Sequence, residues 1–354
     1  MRWRVSILLP SVKIRRVSWG QAPNPASEQR DSETMNFVAT GIGAGLVSAL
    51  LTAVIVKATP LAAVLYLLAP IPVLIVSLGW DHRSGLIAAL VGGIAIALIL
   101  SPLSGLGFAL ITALPAWWLS YLTLLGRPGP DGTMEWYPVG RLLAWIAATA
   151  ALTIIAAGVI STGGDYGTFD QNARAVAQAF VDTQFTTSGA DALDAETREE
   201  LVGIFARLTP FLSAQGFATV LALYLWAAAR IVQASKRLPR PWAPVPELVM
   251  PRSAGLVLVG ALVIASFDGF IGALGMALSG AFLMAFALQG LAAIHDRTRG
   301  KSGRSFILSA LYVLIFVTQG ILMVALALFG IADTVFGLRR RFGTRPNQPP
   351  TLST

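Results

Sequence analysis

Residues 37–56 read FVATGIGAGLVSALLTAVIV, twenty positions without a charge. A helix crossing a hydrocarbon core of about 30 Å needs roughly 20 such residues, at about 1.5 Å of rise each. Lipid cannot satisfy an open backbone, so a stretch of this kind is expected to be helical throughout. Comparable stretches recur at 61–78, 85–100, 106–125, 142–160, 209–232, 254–267, 271–294 and 306–332. The expected fold is all-α: a polytopic transmembrane helical bundle of eight or nine spans.

Composition points the same way. Of 354 residues, 55% are hydrophobic and 12% charged, with a mean hydropathy of +0.69. An average soluble domain carries about 25% charged residues, and half that cannot cover a soluble surface of this size. Cysteine is absent, which excludes disulfides, thiolate nucleophiles and cysteine metal sites together. The two histidines, His82 and His295, are too far apart in sequence to make a helical ligand pair. Gly300, Lys301 and Ser302 superficially resemble a phosphate-binding loop, but His295 stands where its first glycine belongs. With no HExxH and no GxSxG either, no enzymatic activity, metal or cofactor is expected.

Lysine and arginine orient the bundle. With the amino terminus inside, the inner segments hold Arg83, Arg127, Arg141, Arg230, Lys236, Arg237, Arg240, Arg252, Arg297, Arg299, Lys301 and Arg304. The outer segments hold only Lys57, Arg174, Arg198 and Arg207. Twelve against four is a positive-inside bias. The net charge of +8 is thus accounted for by topology and contact with anionic lipid, not by nucleic acid. Nine spans would leave Arg339, Arg340, Arg341 and Arg345 outside. Either 306–332 is broken near Gln319 and Gly320, or a shorter segment fails to cross. Eight spans is the reading, nine the alternative.

The organisation around the spans is simple. Residues 1–34 are polar and precede Met35, which opens the membrane-compatible sequence; they read as a disordered cytoplasmic extension or an over-called start. The transmembrane domain covers 35–338, and 339–354 form a basic, disordered tail. Within 161–207, expected outside, eight carboxylates face three arginines. There Leu201, Ile204, Phe205 and Leu208 follow helical spacing behind Asp194 as a cap, with Val176 and Phe180 as a weaker upstream stripe. The expectation is amphipathic helices over the bundle mouth. The inner stretch 236–252 carries five prolines and reads as a stiff linker or a loop that a cytoplasmic partner could grip.

Few residues could carry chemistry. Ionisable side chains inside spans are functional candidates by default, and Asp268 is the best of them. Its neighbour Gly269 equally makes it an outer turn. Gln215, Gln289 and Gln319 each precede a glycine within an apolar run. Such an amide either bonds a neighbouring helix or contacts a polar solute. Gly41 with Gly45, and Gly275 with Ser279, have the spacing of close helix contacts, and Pro70, Pro72 and Pro115 interrupt two spans.

Three passages resemble the bacterial membrane-protein family DUF2232, the YybS-like proteins. They are Met35 to Ala39; Leu288–Gln289–Gly290–Leu291–Ala292 followed by Ile294 and His295; and Gly330–Ile331–Ala332–Asp333–Thr334 followed by Phe336 and Arg339 to Arg341. The resemblance spans about 35–341. It departs at Phe336–Gly337–Leu338, where an aromatic–aspartate pair is expected before the arginines. The resemblance brings no assigned activity. Through the family's grouping with substrate-binding components of energy-coupling-factor vitamin transporters, it implies a helical bundle with a small-molecule pocket. The functional expectation is a multi-pass protein of the bacterial inner membrane, transport-related, binding a small solute and partnered by a cytoplasmic ATPase. The alternative is a membrane scaffold or regulator that recruits cytoplasmic proteins.

Overall fold

The structure is a computed structural model that describes residues 25–187, 194–241, 248–318 and 320–339. In chain order the helices are α1 (Pro25–Ala53), α2 (Pro60–Leu67), α3 (Pro70–Gly79), α4 (His82–Ile99), α5 (Pro102–Phe108) and α6 (Leu114–Leu124). A two-stranded hairpin, β1 (Gly126–Pro128) with β2 (Met134–Trp136), leads to α7 (Val139–Ser161), α8 (Tyr166–Thr187) and α9 (Ala195–Ala234). The chain continues through α10 (Arg252–Ile264), α11 (Gly269–Arg297), α12 (Arg304–Val317) and α13 (Ile321–Phe336). Helix α1 therefore reaches ten residues back from Met35 into the polar extension; residues 1–24 lie outside the described residues, as do 340–354 of the basic tail.

Seven of the nine expected stretches form helices long and apolar enough to cross a membrane. The other two do not do so as single helices. At 254–267 the helix is α10, 13 residues or about 20 Å. The stretch 306–332 is interrupted at Gly320, whose φ of 90° is left-handed and open to glycine alone without strain. Proline works more gently elsewhere. Pro70 separates α2 from α3, while Pro115 follows a π-turn over Ala109–Ala113 that joins α5 to α6 without a gap.

The ends of the bundle differ in charge. Arg83, Arg127, Arg141, Arg252 and Arg297 gather at one end; α8 and the first half of α9 project at the other with Asp170, Asp182, Glu196, Glu199 and Glu200. Helix α10 connects these ends despite its length. Its start lies by α7, where the Val249 carbonyl packs on Gly140; beyond its other end, Phe270 meets Tyr166 and Phe169 of α8 at 5.3 Å each. Helix α11 then returns to the basic end.

Packing follows from the solvent. Helices in lipid gain little from hiding apolar surface, so they associate through small residues that let backbones approach. Helices α1 and α4 run parallel, with Gly41 against Ser84 and Gly45 against Ala88; a methyl on Gly41 would sit 2.7 Å from the Ser84 carbonyl oxygen. Gly275 packs on the backbone at Ala265 and closes the α10–α11 hairpin. The expected close contacts are both present. The core among α3, α6, α7, α9 and α11 is rich in alanine, including Ala147, Ala151, Ala214, Ala218, Ala277 and Ala281. Helix α11 is its axis, and it is the most enclosed of the spans. Large apolar side chains face outward, Leu98 being 82% exposed, as a lipid-facing surface requires.

The acidic segment differs from expectation in form. The amphipathic stretch 201–208 and the span 209–232 are one 40-residue helix, α9, about 60 Å long, continuous through Pro210. Asp194 caps it as expected, accepting from the Thr197 amide at 2.8 Å. Helix α8 lies against its projecting half through Ala173, Ala177 and Val181, which meet Val202 and Ala206. The buried face of α8 is thus one residue round from the expected stripe, and Val176 is exposed; only Phe180 touches α9, at Phe205.

Candidate functional site

The two apolar passages richest in unusual residues meet in space. Where α13 crosses α11, the backbone at Gly330 packs on the Phe286 carbonyl, and that at Gly290 on the Leu326 carbonyl. Side chains larger than hydrogen would hold the helices apart. That contact puts the amide of Gln289, wholly buried, among groups from three segments. Its Oε1 accepts from the Met250 amide at 2.8 Å and from the Thr334 hydroxyl at 3.1 Å. Its Nε2 donates to the Gly330 carbonyl at 3.2 Å and to Asp333 Oδ2 at 2.9 Å. The backbone N–H of Met250 can only donate, which settles which amide atom faces it. Every hydrogen-bonding position of the amide therefore faces a partner within the protein, with Thr334 sharing its one proton between Gln289 Oε1 and the Gly330 carbonyl, each at 3.1 Å.

Asp333 extends the network. Its Oδ2 lies 3.0 Å from Arg339 Nε, an ion pair, and its Oδ1 accepts from the Arg339 backbone amide at 3.2 Å. Arg339 Nη2 reaches the Gln289 carbonyl at 3.0 Å. The Arg339 side chain gets there because α13 ends at Gly337 in the left-handed region, φ 62°, turning the chain back over the helix end. A buried carboxylate is tolerated when paired and hydrogen-bonded, and this one is both. Chemically the constellation is a clamp joining α11, α13 and the start of α10.

A second constellation lies at the acidic end, in a cavity of about 530 Å³ bounded by α8, α9 and the α10–α11 turn. Asp268 stands at its edge. It is exposed, precedes α11, and makes no capping bond; Gly269 beside it has φ 73°, so the Asp–Gly turn reading holds. From α9, Arg207 enters the same cavity with no hydrogen bond or ion pair to any described residue. Arg174 is committed, bonding Asp170 at 3.0 Å and Glu199 at 3.2 Å. Tyr166 and Phe169 stack at 5.9 Å to form an apolar wall. Burial, with Asp170 and Asp268 nearby, pushes the Tyr166 phenol above its ordinary pKa, so it remains a neutral hydroxyl.

The candidates are thus dispersed. Gln289 is in the clamp, Asp268 in the acidic-end cavity, and Gln215 half-buried on α9, away from both. Gln319 lies outside the described residues. Sequence reading missed Asp333, Thr334 and Arg339 as partners of Gln289, and Arg207 as a cavity residue. Asp333 had a signal: a carboxylate within an apolar helix is a candidate by default. Among the described residues no three His, Asp or Glu side chains are grouped for a metal ion.

Fold and sites together define a multi-pass α-helical membrane protein. More narrowly, the chain belongs to the predicted membrane protein family DUF2232, whose model matches residues 46–334. That range takes in Gln289, Gly290, Gly330, Asp333 and Thr334. No curated protein and no solved structure matches the chain.

Proposed function

We propose that this protein binds a small zwitterionic solute at the acidic-end cavity and serves transport across the bacterial inner membrane. The observation that carries this reading is the pairing of two uncommitted opposite charges, Arg207 and Asp268, in one cavity of about 530 Å³. Small-molecule pockets span roughly 300–1,000 Å³, with few polar groups set among apolar and aromatic walls. A carboxylate on the solute would meet Arg207, an ammonium would meet Asp268, and an apolar body would lie against Tyr166 and Phe169. The role proposed for these groups is binding.

We further propose that the chain acts in the manner of the substrate-binding components of energy-coupling-factor transporters, with a cytoplasmic ATPase as partner at the basic end. The test is purification from native membranes in mild detergent, with mass spectrometry of retained proteins and small molecules. The reading expects an amine-and-carboxylate solute, with or without an ATPase. A cytoplasmic assembly retained without any solute would replace it with the scaffold alternative.

A further inference from the structure

A different cavity, about 510 Å³, runs between α7, α10 and α11 in the basic half of the bundle. Its lining is graded along the membrane normal. Arg141 and Ser253 lie in the first turns of α7 and α10, which both begin at the basic end. Deeper in are Ala148, Val257, Leu278 and Phe282, with no ionisable group. Two turns of helix, about 10 Å, separate Arg141 from Ala148. At the mouth, Trp145 donates to the Tyr137 hydroxyl at 3.0 Å, an aromatic pair of the kind that sits at headgroup level. Arg141, and Arg252 beside Ser253, are exposed and make no ion pair with any described residue.

We infer that this groove holds an anionic phospholipid of the leaflet at the basic end, its phosphate at Arg141 and Arg252 and one acyl chain along the α10–α11 wall. A soluble anion would leave the apolar length of the groove empty, and a zwitterionic lipid would bring its own ammonium group up against both arginines. Basic pockets between transmembrane helices on the cytoplasmic side take acidic headgroups for this reason. Gly140 builds the site by letting the segment before α10 cross the start of α7 in backbone contact, which sets Pro251 and Ser253, the two neighbours of Arg252, in the same lining as Arg141.

The experiment is native mass spectrometry of the full chain released from vesicles of equal phosphatidylglycerol and phosphatidylcholine. The wild type retains phosphatidylglycerol preferentially. In Arg141→Gln/Arg252→Gln the preference falls roughly twenty-five-fold, because each cation near the surface is worth about five-fold. Val257→Trp, which fills the groove and leaves both arginines, lowers retention of the whole lipid. The control Arg83→Gln/Arg127→Gln removes equal charge elsewhere at the basic end and keeps the preference. Glycerol phosphate in solution does not displace the lipid. Equal loss in the control, displacement by glycerol phosphate, or unchanged retention in Arg141→Gln/Arg252→Gln would each overturn the inference.

Discussion

Gln289 and Asp333 lie 44 residues apart in sequence and are joined, deep in the bundle, by a hydrogen bond of 2.9 Å between amide and carboxylate. Neither side chain reaches water: Gln289 is 0% exposed and Asp333 4%. The bond holds α13 to the central helix, while the Met250 amide on the far side of Gln289 holds the start of α10 to the same point.

Removing the amide should therefore loosen the protein. In Gln289→Leu the Met250 N–H loses its partner and Asp333 one of its donors, at a cost of about 1–3 kcal/mol for a buried polar group left unsatisfied. Melting in detergent should fall accordingly, and solute bound at the acidic end should keep full affinity. Loss of solute affinity without loss of stability would place Gln289 at a binding site instead.

The ion pair should cost more to break from one side than from both. Asp333→Leu leaves Arg339 half-buried without its carboxylate, and removing one partner of a buried pair costs about 3–5 kcal/mol. The double variant Asp333→Leu/Arg339→Leu should recover part of that loss. A double-mutant cycle with no coupling would show that the 3.0 Å contact contributes nothing.

The geometry of the α11–α13 crossing predicts a contrast between two glycines. Gly330→Val must push α13 off the Phe286 carbonyl and should lower the melting temperature sharply. Gly216, on α9, has open space where a side chain would go, so Gly216→Ala should be neutral or stabilising, by up to about 1 kcal/mol from helix propensity. Equal effects at the two positions would contradict the crossing.

Acid should act first on the projecting α8–α9 hairpin. Hydrogen bonds from the Thr168 hydroxyl and amide depress the Asp165 pKa, and the Thr197 amide and hydroxyl do the same for Asp194. A depressed folded pKa gives stability that is present above the unfolded carboxylate value, near 4, and is lost as pH falls through the lower folded value. Amide exchange at Thr168 and Thr197, corrected for its intrinsic pH dependence, should rise in that acidic window, and Asp165→Asn/Asp194→Asn should flatten the response.

Orientation is directly accessible because the chain lacks cysteine. Glu200→Cys, at the acidic end, should react with an impermeant maleimide on intact cells, and Lys301→Cys should react only after lysis. The reverse pattern would invert the bundle.

How much of this was legible in the sequence depended on the range of the interaction involved. Unbroken apolar runs set the spans, since lipid permits them one conformation. Gly41 with Gly45 announced a close contact because both residues share one helix face. Asp194 announced a cap because its partner, Thr197, is three residues on. Arg339 with Asp333 was hidden: six residues is off the helical repeat, and the pair forms only because Gly337 reverses the chain. Gln289 was visible as a polar group in an apolar run, but its partners lie 39 to 45 residues away and no local spacing records them. Asp333 stands one residue past the apolar run that ends at Ala332, so its place within an apolar helix shows only once α13 is seen to continue to Phe336. Arg207 registers in the sequence only as one of four outer cations, since it takes the joining of the amphipathic stretch to the span as one helix to bring it to the cavity.

The most direct measurement of the central claim compares the small molecules extracted from wild-type protein with those from Arg207→Gln/Asp268→Asn, both purified from native membranes at equal melting temperature. The account predicts an amine-and-carboxylate solute in the wild type, near one per chain, and its loss from the double variant. The same solute retained at full occupancy by that variant would contradict the assignment of the acidic-end cavity as the binding site.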